Sequence, residues 1–483
     1  MRLSTSFLVL ILTITNCVSQ TIESSIGNCF TIIVGKNASY DGSVLIAHNE
    51  DDAGQLLVDL HKVPENNAPV ELLINDSIQV KSTSRLSYLW IDIPGEKFAD
   101  TYLNEYGVSI CSNQARSKER ESQGMIDYHF RKIIAAKAKS AKEGLKIATE
   151  LIETYGYTYS GRSYTIADPN EAWVLEIVKG KIWVAQRVPD SEIVIIPNYY
   201  VIDQIDFKDT VNYRYSTQLV SNAVEKKWYN PKDSIPFSFR KVYGDTEVIN
   251  GEWNISRKWI ALNKFSEQHY NYFDNFPFSF EPKNVIHLED IMNILGNHYE
   301  GTEFEIHPDY NNGNPHGNVI MRVCSEYNQT GFIIQLRNWL TPEIGNLIWF
   351  AQRRPCINPF VPIYFGVKKF IPEFESRDFQ EAESLHFSDN INLIETYPIH
   401  SSWLFYNYAK QIDDNYTYNI DKISKYKLSV QNQLFNEQKI FEQNMVGSFK
   451  NDKKQLVDSL TKFTNKHLKA RYTFVKQYLK ENQ

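Results

Sequence analysis

Two short apolar runs open the readable part of the chain. Residues 30–34 (FTIIV) and 43–47 (SVLIA) are continuous and rich in β-branched side chains, and Asp41-Gly42 stands between them as a turn signal. The pattern predicts a hairpin whose first strand begins at Cys29. RLSYLWIDI (85–93) and YGVSIC (106–111) predict further strands. From 126 to 155 the apolar period changes to that of a helix. Ala and Lys are abundant there and Gly156 follows as a stop, so a pair of helices is expected. Strands return in AWVLEIV and KIWVAQRV, which flank Lys179-Gly180 as a second hairpin, and in EIVIIPNYYVI. Residues 205–320 are turn-rich and predict little regular structure, and 330–350 read as strand and helix. Beyond about 400 polar helical segments dominate, with no internal repeat and no low-complexity tract. Strands, a helical pair, then strands predict an α+β layered architecture.

Composition narrows the class. The chain has 483 residues, 42% hydrophobic and 23% charged, enough for a large core or two domains. A net charge of −7 argues against a nucleic-acid partner, which needs a basic face. Met1-Arg2, the apolar run FLVLILTI (7–14) and small or neutral residues to Ser19 read as a signal peptide over 1–20. The expected destination is outside the cell or in a periplasmic or lumenal space. A lipoprotein reading on Cys17 is weakened by Asn16, and no later stretch reads as a membrane span, so none is expected in the mature chain. Five sequons (Asn37, Asn75, Asn254, Asn328, Asn415) are potential glycan acceptors. Cys29, Cys111, Cys324 and Cys356 contain no CxxC pair, which predicts neither a metal cage nor a disulfide framework.

Cys29 has three readings: a buried small hydrophobe, half of a disulfide, or a nucleophile uncovered by cutting Asn28–Cys29. The third needs a base, and the α-amino group freed on the same residue supplies one.

The stretch NCFTIIVGKNASYDGSVLIAHNEDD resembles the start of the mature chain in the dipeptidase A/secernin family of cysteine peptidases, which are N-terminal nucleophile hydrolases related to penicillin acylases and bile salt hydrolases. TYLNEYGVSICSNQA (101–115), SGRSYTIADPNEAWVLEIVKGKIWVAQRVPDSEIVIIPNYY (160–200) and LRNWLTPEIGNLIWFAQRRPCINPFVPIY (336–364) resemble the same family in the same order. The resemblance implies a four-layer αββα sandwich over 29–365, a short propeptide at 21–28 and a C-terminal helical region at 366–483. It implies Cys29 as nucleophile, Asp51 holding the α-amino group, and an oxyanion hole from the Asn198 side chain and the Asn113 backbone N–H. His48 stands where related hydrolases carry Arg, so either His48 or another arginine supports the thiolate. Arg322 matches a later active-site arginine, and Arg162, in Ser160-Gly161-Arg162, is structural or substrate-facing. The implied activity is hydrolysis of dipeptides through an acyl-enzyme, with no cofactor and no metal, and the subunits are free to form a homo-oligomer. An acylase of the same fold and a secernin-like protein without turnover are the alternatives. A metal dipeptidase using His48, Glu50, Asp51 and Asp52 lacks the usual ligand spacing.

Overall fold

The computed structural model describes residues 28–75, 77–305, 313–316, 321–388, 396–448 and 452–482. The expected signal peptide, Cys17 and all of the expected propeptide but Asn28 lie outside the described residues. In chain order the strands are β1 Phe30–Val34, β2 Val44–Asp51, β3 Asp59–Val63, β4 Val70–Leu73, β5 Gln79–Ser82, β6 Tyr88–Asp92, β7 Thr101–Asn104, β8 Ser109–Gln114, β9 Tyr157–Ala167, β10 Ala172–Gly180, β11 Trp183–Arg187, β12 Ile193–Ile196, β13 Tyr213–Tyr215, β14 Ser279–Phe280, β15 Asn328–Leu336, β16 Asn346–Gln352 and β17 Val361–Tyr364. They build one sheet in the order β14-β12-β1-β2-β15-β16-β17, a second in the order β13-β11-β10-β9-β8-β7-β6-β3, and a separate β4-β5 ribbon.

Strand alternation divides the core into layers. On β1 and β2 the residues Ile33, Val44 and Ile46 face inward and pack with Leu89, Leu103 and Val174 of the second sheet. Their neighbours Phe30, Ile32, Leu45 and Ala47 face outward onto Ile255 and Trp259 of helix Glu252–Phe265 and Ile291 of helix Leu288–Leu295. The outer face of the second sheet is covered by the expected helical pair, Phe130–Lys137 and Ala141–Tyr155. Ser140 caps the longer of these by accepting from the Glu143 N–H, and Gly156, at φ +71°, ends it in a conformation that glycine favours. The result is the expected αββα sandwich.

The predicted hairpins are present. Both β1 and β2 are buried on two faces, which explains the apolar runs FTIIV and VLIA, and β2 continues into the equally buried polar stretch HNED. The main departure is helix Glu252–Phe265, which lies in the span read as irregular. Its Asn254, Ser256, Arg257 and Lys258 are all buried, so the polar face that marks a surface helix is turned inward. The sequons also need correction. Asn254 and Asn328 are fully buried and donate to the Val248 carbonyl and to Asp51, so neither can carry a glycan in the folded chain. The C-terminal helices Ser401–Asp414, Tyr416–Ser448 and Lys453–Glu481 pack on the first sheet and on one another. Arg337 makes a bidentate pair with Glu442 at 2.8 Å, and Leu460 sits against Gly366 so closely that a Cβ there would lie 2.4 Å from its Cδ1. No helix among the described residues is long and apolar enough to cross a membrane.

A buried ionic network ties the far edge of the second sheet to the later chain. Arg377 bridges Asp92 at 3.0 Å and Asp59 at 3.2 Å. His386 Nδ1 lies 2.7 Å from Asp92, and His400 Nε2 lies 3.0 Å from Asp59. Arg131 pairs with Asp100 and donates to Ser112 Oγ at 3.0 Å, and Arg162 donates to the same hydroxyl at 2.8 Å. Burial alone would depress the His386 pKa, but Asp100 and Asp92 outweigh it and raise it to about 9. A pKa raised on folding contributes stability below the unfolded value near 6.5 and loses it as pH climbs through about 9. Stability should therefore fall over that window by at most about 3 kcal/mol from this group. In thermal unfolding against pH, His386→Gln should be clearly less stable than wild type at pH 6, with the gap narrowing by pH 9.5; a gap independent of pH would contradict the assignment.

Candidate active site

The register of three adjacent strands assembles the centre. Thr31 pairs with His48 on one side and with Ile196 on the other. Continuing both registers by two residues sets Cys29 opposite Glu50 and opposite Asn198. All three fall on the face that looks toward the second sheet, because alternate residues share a side.

Cys29 is 1% exposed and its Sγ donates to Glu50 Oε1 at 2.9 Å. The other Glu50 oxygen lies 3.0 Å from His48 Nε2. His48 Nδ1 is 2.7 Å from Thr31 Oγ1, which donates to Asn113 Oδ1 at 2.6 Å. Asn113 Nδ2 donates to the Ile196 carbonyl at 3.1 Å, so this side chain stitches the two sheets together and is fully engaged. Its backbone N–H is committed too: Ala115 donates to the Gly161 carbonyl, and two residues back the same antiparallel ladder directs the Asn113 N–H at the Ser163 carbonyl, so the expected oxyanion donor at Asn113 is taken up by the sheet.

Arg257 supplies the second half of the site from helix Glu252–Phe265. Its guanidinium is fully buried and donates to the carbonyls of Asn28 and Cys29, to Asn198 Oδ1 at 2.9 Å, to Asn254 Oδ1 at 2.9 Å and to the Trp253 carbonyl at 2.7 Å. Because Arg257 takes the Asn198 oxygen, the amide group of that side chain is fixed in orientation. Its Nδ2 is buried and has no hydrogen-bond partner among the described residues. An oriented donor left without an acceptor is costly in a folded interior and is the arrangement an oxyanion hole requires.

Two electrostatic facts follow. Burial, then the Glu50 charge, push the Cys29 thiol well above its ordinary range, with Arg162 pulling the other way. Burial likewise raises the Asp51 carboxyl, opposed by Arg257 and by the bond from Asn328. Asp51 Oδ2 has no hydrogen-bond partner among the described residues. With Asn28–Cys29 intact, the resting thiol is protonated and its proton points at Glu50.

The expected residues are thus largely brought together. Cys29, Asp51, Asn113, Asn198 and His48 converge on the start of β1. His48 does not touch the thiol, since Glu50 stands between them. Arg162 and Arg257 both act on the thiol, and the Arg162 guanidinium is held by Ser112 Oγ and the Phe98 carbonyl and lies over the rings of Phe98 and Tyr128. The preceding Gly161 is required, because a Cβ there would lie 2.0 Å from the Tyr200 hydroxyl. Arg322 is placed elsewhere, stacked 4.8 Å over the Tyr299 ring, which bonds to Ser256 beside Arg257. Sequence reasoning misses both Arg257 and Glu50 as members of the centre. Arg257 sits in the span without a legible pattern, whereas pairing the two hairpin strands from the Asp41-Gly42 turn would have found Glu50. His48, Glu50, Asp51 and Asp52 do not form one ligand set, because Asp51 lies on the opposite face of β2 from His48 and Glu50. A cleft of about 850 Å³, lined in part by Tyr40, Asp41, His287, Trp339 and Glu442, opens at the turn end of the hairpin. It lies about 17 Å along β1 from Cys29 and contains none of these residues.

Comparison with known proteins places the chain among relatives. The model of peptidase family C69 matches residues 28–106 and 119–428. A dipeptidase of Bifidobacterium longum is 27% identical over 391 residues, spanning 70% of this chain and 71% of that protein. Dipeptidase A of Lactobacillus helveticus is 26% identical over 370 residues, spanning 70% and 75%. Among solved structures, a mutant of conjugated bile acid hydrolase from Clostridium perfringens aligns with a TM-score of 0.33 at 14% identity, covering 70% of this chain and 92% of that one. Penicillin V acylase from Agrobacterium tumefaciens aligns with a TM-score of 0.33 at 11% identity, covering 70% and 86%. With the family model matched across most of its length, and with a cysteine, an orphaned amide donor and two arginines gathered at the first strand, the chain belongs to peptidase family C69.

Proposed function

We propose that this protein is a cysteine dipeptidase that matures by cutting Asn28–Cys29 and then uses Cys29 as both nucleophile and base. The observation that carries the reading is Arg257 donating to the Asn28 carbonyl while the Cys29 thiol hydrogen-bonds to Glu50. That carbonyl belongs to the bond to be cut. In maturation Sγ attacks it, the thiol proton passes to Glu50, and Arg257 steadies the oxyanion. The C–N bond breaks as the amine takes a proton, leaving a thioester that water hydrolyses. The new α-ammonium faces Asp51, whose Oδ2 is otherwise without a partner among the described residues.

In turnover the free amine accepts the thiol proton and Sγ attacks the substrate carbonyl. The oxyanion lies against Asn198 Nδ2, the buried donor without an acceptor among the described residues. The leaving amine is protonated, and water resolves the acyl-enzyme. The substrate is small and carries a free ammonium. Asp52 and Glu96 form a half-buried acid pair beside Glu50. Burial and then Asp52 raise Glu96 to about 8, and burial raises Asp52 as well, a strain that a substrate ammonium would relieve. The dipeptidase relatives support the same substrate class. We further propose export through the hydrophobic N-terminal segment 7–14.

The direct test is a panel of free dipeptides against their N-acetylated forms and simple N-acyl amides. Free dipeptides should be hydrolysed and N-acylated forms should not, and Cys29→Ala should abolish turnover without loss of fold. Preference for N-acyl substrates would replace the reading with an acylase, and turnover by Cys29→Ala would remove the nucleophile. A second test concerns the orphaned amide. Asn198→Asp keeps an oxygen for Arg257 but loses the donor, so kcat should fall about 10²–10³-fold with little change in KM. An unchanged kcat would exclude Asn198 from the oxyanion hole.

A further inference from the structure

A second cluster of reactive side chains lies outside this centre. His298, His316, Cys324 and Cys356 bring one donor atom each to a common point, with all four atoms within 4.8 Å of one another. His298 Nε2 is 3.1 Å from His316 Nε2, and His316 Nε2 is 3.3 Å from Cys356 Sγ. The four come from three separate pieces of chain. His298 follows helix Leu288–Leu295, His316 and Cys324 precede β15, and Cys356 follows β16. His298, His316 and Cys324 are buried and Cys356 is partly exposed.

The surroundings of the two histidines are the informative part. His298 Nδ1 lies 2.9 Å from Glu300 Oε1, and His316 Nδ1 lies 2.9 Å from Asp413 Oδ1. Arg354 also pairs with Asp413 and approaches His316 Nδ1 at 3.1 Å. A carboxylate at Nδ1 takes the ring N–H, which leaves Nε2 as a lone pair. In that tautomer both Nε2 lone pairs point at each other and at two sulfurs, and the thiol hydrogens are the only protons left to satisfy them. Four nitrogen and sulfur donor atoms converging on one point is the arrangement that a cation collects once the thiols give up their protons. A tetrahedral zinc ion with ordinary Zn–N and Zn–S bonds has ligand–ligand edges of about 3.3–3.8 Å, close to the spacings found.

We propose that His298, His316, Cys324 and Cys356 form a structural Cys2His2 zinc site. Nitrogen and sulfur donors in a closed set of four select zinc over the hard, oxygen-seeking cations. The sequence expectation of no metal cage rested on the absence of a CxxC pair, and the ligands escape it because they are scattered over residues 298–356. The site fastens the segment that supports the catalytic centre. The Cys324 N–H donates to the Asn297 carbonyl at 3.1 Å, and the adjacent Val323 carbonyl accepts from Asn49 at 2.8 Å, between His48 and Glu50. The metal thus holds the chain behind β2 and takes no part in the reaction.

The test uses the full-length protein produced without a histidine tag in zinc-supplemented medium. Elemental analysis should give about one zinc per chain. Titration of thiols with a mercurial should release it stoichiometrically, and cobalt exchanged into the site should show thiolate-to-metal charge-transfer absorption. Cys356→Ser and His316→Asn should each lose most of the zinc. Since either variant can fold poorly, the wild-type measurements decide. Wild-type protein that takes up no zinc, whether its mass shows a Cys324–Cys356 disulfide or its thiols stay free, would overturn the proposal.

Discussion

A buried guanidinium has five N–H donors and no way to shed its charge, so it organises whatever surrounds it. Arg257 is that group here. It reaches from the outer helical layer to the start of β1 and gathers the backbone on both sides of the Asn28–Cys29 bond, the oxygen of Asn198 and the oxygen of Asn254. Burial lowers its pKa and the Asp51 charge works against that, so arginine and aspartate sustain each other in a dry site. Without Arg257, the Asn198 amide loses its orientation and the carbonyl before Cys29 loses its donor. The helix that carries it is accordingly polar on its inner face.

The two sheets divide the labour. The first supplies the reactive row, Asn198, Cys29 and Glu50, from neighbouring strands whose register is fixed by apolar residues on both faces. The second supplies the supports, Asn113, Ser112 and Arg162, from strands β8 and β9. Thr31 and Asn113 join the two across the core. The ionic network from Asp59 through Asp92 and Asp100 to Arg131 ends on Ser112, the hydroxyl that also orients Arg162. A disturbance far out on that network therefore has a route to the cation beside the thiol.

The readable and unreadable parts of the sequence separate along a physical line. β1, the first half of β2 and most of β10 are apolar text because they are buried on both faces, and the turn residues Gly42 and Gly180, at φ +85° and +90°, mark the hairpins. The helix ending at Gly156 is amphipathic and legible. Helix Glu252–Phe265 is not, since Asn254, Ser256, Arg257 and Lys258 are buried and erase the period. Sequence reasoning therefore looks to Arg322 for the later arginine, whereas the guanidinium bonded to the backbone at Cys29 is that of Arg257. The role left open for His48 divides for a related reason. Sequence position sets His48 near Cys29, but the strand pairing puts Glu50 opposite the thiol and His48 one pair further in.

All of this depends on Cys29 becoming the first residue of the working enzyme. The measurement that tests it most directly is the intact mass and N-terminal sequence of the purified, active protein. The account requires a chain beginning Cys-Phe-Thr-Ile, with its amine free to pair with Asp51. A fully active chain that still carries Asn28 would contradict it, because the amine needed as base would be locked in a peptide bond.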